Sequence, residues 1–220
     1  MKRGKLFILL AALAPVLLVA LCYRRLPDMI PTSWGFDGRV VYSEKSSLWL
    51  ISGLSPVLAL LFFLLPKIDP RASNYRRFSR YYDSFLLFLE LFLLVLTGIV
   101  ISESLSPGRI SVSHTVTVLL GLLIVFIGNL LPKVKSNFFL GIRTPWTISD
   151  TAIWNKTHRL AGTLFFFSGL VVMAMGFFLQ SERVMMGLML TIVLLCALIP
   201  TVASYFWYRA AHGQPPHQEE

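Results

Sequence analysis

The chain is expected to fold as an all-α, polytopic bundle of six transmembrane helices, and three observations lead there. Of its 220 residues, 55% are hydrophobic and only 14% are charged. Soluble domains carry about 25% charged residues, so too few polar side chains exist to cover a water-facing surface. Six runs, roughly 6–23, 48–65, 84–101, 113–131, 160–179 and 185–207, reach or approach the ~20 apolar residues that a bilayer-spanning helix needs. None alternates with the two-residue period of a barrel strand, and helices satisfy their own backbone hydrogen bonds in lipid. The net charge of +9 can accompany nucleic-acid binding. Here the charge sits in short loops beside apolar runs, where basic residues set membrane orientation, so no direct nucleic-acid binding is expected.

The first run follows "MKRGK", which has the form of a signal peptide. It continues to Tyr23, however, and its small-residue cleavage pattern, Ala12-Leu13-Ala14, is followed by Pro15. A retained helix kinked at Pro15 is expected. Cys22 falls at the outer end of this run and Cys196 near the middle of the sixth, a depth difference of ~15 Å at a helical rise. A disulfide needs Cα atoms within about 7 Å, so both thiols are expected to be free. No Cys/His spacing matches structural zinc, and neither metal nor cofactor is expected.

The first loop, "RRLPDMIPTSWGFDGRVVYSEKS", is punctuated by Pro27, Pro31, Gly35 and Gly38 and reads as turns and extended chain. Met29, Ile30, Trp34 and Tyr42 are apolar enough to fold back on the bundle. Pro31, Trp34 and Gly38 are candidates for an outward-facing recognition cap; the alternative is a connector with an interfacial Trp. The second run closes at Pro66-Lys67, before a basic loop containing Arg71, Arg76, Arg77 and Arg80. Such clusters contact anionic membrane lipids, with an acidic cytosolic partner as the alternative. "LLPK" occurs at 64–67 and again at 130–133, too short an echo to establish duplication.

Glu90 lies inside the third apolar run, about 10 Å from its start. An intramembrane carboxyl is costly and should face the bundle with a partner. Asn129, near the end of the antiparallel fourth run, is the expected neighbour, forming either a polar clamp or a site in a transport path. Lys and Arg are divided 14 against 6 between the two sides, which places both termini in the cytoplasm.

The stretch "GIRTPWTISDTAIWNKTHR", residues 141–159, is then cytoplasmic, and it is polar and aromatic between two membrane-length runs. Thr147 to Asp150 has capping-box form and predicts a helix starting near Ile148. Trp154 and His158, with Thr151, should share one face, and Lys156 and Arg159 another. Arg143 just before the helix is the strongest donor of a possible anion-binding corner; alternatively it reaches Glu90 and locks the loop into the bundle. The bland reading is a belt of snorkelling basic and aromatic residues. His158 near Arg143 and Asp150 is the only support for catalysis. No nucleophile, metal set or phosphate loop accompanies it, so no catalytic residue is assigned.

Residues 128–162, "GNLLPKVKSNFFLGIRTPWTISDTAIWNKTHRLAG", closely resemble the signature of the SdpI family of bacterial membrane proteins. Residues 26–38, "LPDMIPTSWGFDG", resemble the IPTHWG-type domain of unknown function that often precedes it, with Ser33 where the family usually has His. The resemblance implies a multi-pass protein of the bacterial plasma membrane that protects against a secreted peptide toxin. It also implies that the toxin's presence is relayed by drawing a cytosolic transcriptional repressor to the membrane. Asn129, Asn137, Gly141, Arg143, Thr144, Pro145, Trp146, Trp154, Lys156, Thr157, His158 and Arg159 are then the candidate partner-binding or switch residues. The expected organisation is residues 1–66 with the outer loop, 67–112 with the basic loop and third helix, 113–209 as the SdpI-like region, and 210–220 as a disordered tail. A small-solute, ion or lipid transporter using Glu90 and Asn129 is the alternative function.

Overall fold

The computed structural model describes residues 2–35 and 39–213. Among these residues six helices are long and apolar enough to cross a membrane: α1 (Lys2–Cys22), α2 (Ser47–Ile68), α3 (Ala72–Leu105), α4 (Val112–Leu130), α6 (Thr151–Phe178) and α7 (Glu182–His212). A short helix, α5 (Pro145–Ser149), precedes α6, and strands β1 (Met29–Trp34) and β2 (Val40–Glu44) form an antiparallel hairpin between α1 and α2. The all-α bundle of six spans is the architecture observed. The hairpin lies at one end of the bundle, here the hairpin face. The 131–150 connector between α4 and α6 lies at the other, the connector face.

The helices divide into two bodies. Helices α1, α2 and α3 pack on one another; α4 packs most extensively on α6, and α7 lies against α6. Among the described residues the bodies meet within the span chiefly at a narrow seam between α3 and α4, where the rings of Phe88 and Phe126 stack at 4.2 Å. The α4–α6 pair follows from glycine spacing. Gly121 and Gly128 on α4, and Gly162, Gly169 and Gly176 on α6, recur every seven residues, so each set lines one helix face. A Cβ on Gly169 would fall 2.7 Å from the Gly121 carbonyl oxygen. In lipid, where apolar surface gains nothing by hiding from water, such small-residue faces let backbones approach and collect dispersion energy.

In the first body, prolines create local demands that side chains meet. α1 stays helical through Pro15. Pro66 has no N–H to give the Phe62 carbonyl, and the Tyr82 hydroxyl of α3 donates to that oxygen instead, at 2.5 Å. The basic stretch after Lys67 is a three-residue turn rather than a loop, because α3 already begins at Ala72. Tyr75, Phe78 and Tyr82 point inward and are buried, while Arg76, Arg77 and Arg80 are exposed. The charges that look like a loop are the solvated face of an amphipathic helical segment. α3 is interrupted once, at Phe78 (φ −131°, ψ 21°). At the other end, α7 continues to His212, whose ring stacks on Tyr208 at 4.3 Å. Residues 210–212 are therefore helical rather than tail, and 214–220 lie outside the described residues.

The hairpin realises the expected extended chain as a paired ribbon, with a register shift between Pro31 and Ser33. Ile30 is fully buried against Val19, Leu26, Leu48 and Ile101, which pins the ribbon to the first body. Lys45 pairs with Asp28 at 2.9 Å at its base and holds that carboxyl below its ordinary value. The pair's contribution is therefore present at neutral pH and disappears as acid protonates Asp28. Cys22 and Cys196 are both free.

Candidate functional site

The connector between α4 and α6 is organised by Asn137, which is fully buried. Its Oδ1 accepts the backbone N–H groups of Phe139 (2.8 Å) and Leu140 (2.6 Å), and its Nδ2 donates to the carbonyls of Lys135 (2.9 Å) and Leu140 (3.2 Å). One side chain thus supplies the hydrogen bonds that an irregular buried backbone cannot make with itself. Tyr75 of α3 bridges to it, its hydroxyl lying 3.3 Å from Asn137 Oδ1 and 3.0 Å from Asp69 Oδ2. Asp69, also buried, accepts the N–H groups of Arg71 (2.7 Å) and Phe138 (2.9 Å). Arg71 donates to Ser136 Oγ and, at 2.8 Å, to the Ile148 carbonyl, and its guanidinium lies 5.2 Å from the Phe138 ring centroid. This network ties the α2–α3 turn of the first body to the connector of the second. Asp69, Tyr75 and Ser136 were not among the sequence candidates, and Arg71 was foreseen only as part of the basic cluster expected to contact lipid or an acidic partner. The one local signal was Asp69-Pro70, a turn-initiating pair.

Gly141 turns the chain with φ +97°, a conformation that favours glycine, and a Cβ there would overlap the His158 ring. His158 Nε2 accepts the Ile142 N–H at 3.1 Å. Since a backbone N–H can only donate, the proton sits on Nδ1, which faces the Trp154 carbonyl at 2.8 Å. Both ring nitrogens are committed, so His158 has no free lone pair to act as a base. Trp154 stacks on it at 4.0 Å and donates from Nε1 to the Val134 carbonyl at 2.9 Å. Trp154, Thr157 and His158 are buried together, and the Thr157 hydroxyl has no partner among the described residues.

Several sequence expectations for this segment are corrected. The capping box is Thr144 with Thr147, and Pro145 opens the helix. Asp150 instead caps α6, accepting the N–H groups of Ala152 (2.6 Å) and Ile153 (3.1 Å). Proline suits the first helical position, which moves the cap to the residue before it. The α6 N-terminus therefore carries its own carboxylate and is no place for a second anion. Arg143 is exposed and donates to the Phe138 carbonyl, so it does not reach Glu90. Thr151 is exposed and does not share the buried face of Trp154 and His158. Lys156 lies 4.4 Å from the Trp207 ring centroid, and Arg159 is exposed. Trp146 donates from Nε1 to Ser204 Oγ and meets Tyr205 edge-on at 5.4 Å, docking α5 onto α7.

Glu90 and Asn129 are not neighbours. Asn129 is exposed and accepts from Lys133 one turn along, at 3.2 Å. Glu90 is fully buried, accepts from the Ser55 hydroxyl of α2 through Oε2, and has no partner on Oε1 among the described residues. A polar clamp between α2 and α3 is thus present, with Ser55 in the role foreseen for Asn129. Glu90→Gln, which keeps the shape and sheds the potential charge, is expected to leave the melting temperature in detergent unchanged or raise it. Ser55→Ala, which strips the acceptor of its donor, is expected to cost about 1–2 kcal/mol.

On the hairpin face, Trp34 stands between two adjoining clefts. One, of about 320 Å³, runs from Thr32 and Trp34 to Val112 and Val116 of α4 and Glu182, Met185, Met186 and Met189 of α7. The other, of about 260 Å³, lies between Pro31, Trp34, Tyr42 and the α3–α4 turn. Buried Glu103 shapes that turn by accepting the N–H groups of Gly108 (2.9 Å) and Ile110 (2.8 Å). His114 holds the start of α4 to the end of α6 through the Leu179 carbonyl, 3.0 Å away. Pro31 and Trp34 thus both border the clefts, while Gly38 lies outside the described residues. Among the described residues no group of three or more His, Cys, Asp or Glu side chains is placed to hold a metal ion.

Residues 133–204, from the connector through most of α7, match the SdpI/YfhL protein family. The chain is 25% identical to the immunity protein SdpI of Bacillus subtilis (strain 168) over 215 residues, covering 97% of this chain and 99% of that protein. It is 36% identical to the uncharacterized protein YfhL of the same organism over 64 residues, 29% of this chain and 58% of that protein. No solved structure matches.

Proposed function

We propose that this chain, a member of the SdpI/YfhL family, is an immunity protein that protects a bacterial cell from a secreted antimicrobial peptide bound at the hairpin face. The observation that carries the reading is the end-to-end similarity to an immunity protein, which spans the hairpin as well as the family region. The clefts beside Trp34 supply the chemistry a peptide needs. Trp34 and Tyr42 offer rigid aromatic surface, three methionines of α7 offer an adaptable apolar wall, and Glu182 offers a carboxylate for a basic residue.

The excess of Lys and Arg on the connector face orients that face, and both termini, toward the cytoplasm. A bound peptide shifts the bundle only if it binds two arrangements unequally. The Asp69–Tyr75–Asn137 network is the element through which such a shift reaches a cytosolic repressor. Expression in a toxin-sensitive Bacillus strain is expected to raise survival. Trp34→Ala is expected to cut the tolerated peptide concentration by about thirtyfold, the scale of losing a central aromatic anchor worth about 2 kcal/mol, at unchanged membrane abundance. No gain in survival from the unaltered chain would overturn the proposal.

A further inference from the structure

The ends of α1, α2 and α3 meet on the connector face around a cleft of about 430 Å³, which Tyr75 and Tyr82 border. Its rim carries Lys5 from α1, Lys67 from α2 and Arg76 from α3; Asp83 is its single acidic residue, so the lining is net positive by two charges. Lys67 and Arg76 make no hydrogen bond or ion pair within the described residues, and Lys5 lies 5.8 Å from the Phe63 ring centroid. Beneath the rim the walls are apolar, formed by Phe62, Phe63 and Pro66, and the Tyr82 hydroxyl is already spent on the Phe62 carbonyl. The neighbouring residues Leu64 and Ile68 face outward at 41% and 61% exposure, on the surface that meets lipid.

We propose that this cleft holds the phosphodiester headgroup of one anionic phospholipid. Three cations from three separate helices converge where helix ends reach headgroup depth, and the greasy floor continues into the lipid-facing surface. A phosphodiester with its acyl chains fits both halves, whereas a soluble phosphate fits only the rim. Basic pockets between transmembrane helices recognise such headgroups by this combination. The second basic cleft on the same face, lined by Arg71, Arg77 and Lys135, has polar walls formed by Asn74, Ser136 and Asn155. Arg71 is moreover committed to Ser136 and Ile148. That cleft lacks the apolar floor and serves as the control.

The test is native mass spectrometry of the delipidated full chain in neutral detergent, titrated with phosphatidylglycerol, phosphatidylcholine or inorganic phosphate. The expected result is retention of one phosphatidylglycerol with at least roughly tenfold preference over phosphatidylcholine. Lys67→Gln with Arg76→Gln should weaken retention by about 25-fold, two factors of about five. Arg77→Gln with Lys135→Gln should change it less than about twofold. Lys67→Arg with Arg76→Lys, which keeps both charges, should retain the lipid and covers the case in which the neutral pair fails to fold. Equal weakening by the two neutral pairs would mean diffuse surface attraction and would overturn the site. So would the absence of headgroup preference, or displacement of the lipid by millimolar phosphate.

Discussion

Gly169→Leu is expected to remove the folded protein from the membrane. A Cβ at position 169 would lie 2.6 Å from the Val125 backbone nitrogen and 2.7 Å from the Gly121 carbonyl oxygen. Those atoms belong to a helix backbone, which cannot turn aside as a side chain can. Extra methylenes in a packed core cost about 1–3 kcal/mol where neighbours can yield. Here the only escape is to part α4 from α6, which forfeits the most extensive helix contact in the chain. Against a total stability of about 5–15 kcal/mol, that loss is disabling. Gly98→Leu is the matched control, since nothing lies within 4 Å of a Cβ there. Membrane-fraction abundance and melting in detergent read both variants; normal values for Gly169→Leu would refute the close α4–α6 approach.

Asn137→Leu is expected to dissolve the connector. Leucine fills a similar volume but leaves two backbone N–H groups and two carbonyls without the partners Asn137 provides. At about 1–3 kcal/mol for each buried group left unmet, the cost is on the order of 4 kcal/mol or more. Asn137→Asp keeps the acceptor but loses both donors. It also sets a second carboxylate on the Tyr75 hydroxyl that Asp69 already shares, so it should fail too. Limited proteolysis across residues 134–144 is the direct readout. A connector as resistant as the parent's in either variant would show that its order comes from elsewhere.

The six spans were legible because length and apolarity are local properties, and because lipid admits few ways of satisfying a backbone. The two free thiols followed from the same depth argument. The connector was only half legible. Its Gly, Pro and aromatic residues marked it as structured, and Gly141, Trp154 and His158 do meet there. Their cross-chain partners were invisible. Asp69 and Tyr75 are more than 60 residues from Asn137 in sequence, and nothing in their own neighbourhood announces the pairing. The inward role of Arg71 has the same origin: Arg71 and Arg143 both lie near prolines and threonines or serines, and only the fold decides which one is turned inward. The capping signal is ambiguous in sequence because two overlapping patterns, Thr144 to Thr147 and Thr147 to Asp150, compete within seven residues. Basic residues 71–80 read as a loop because charge alone does not distinguish a solvated helix face from irregular chain.

The narrow seam between α3 and α4 leaves the protein built as a pair of plates joined along one spine. The clefts beside Trp34 straddle the plates at one edge, and the Asp69–Asn137 clasp fastens them at the other. On the function proposed above, a peptide wedged at the first edge would tilt one plate against the other, and the tilt would arrive at the clasp as leverage across on the order of 30 Å of helix.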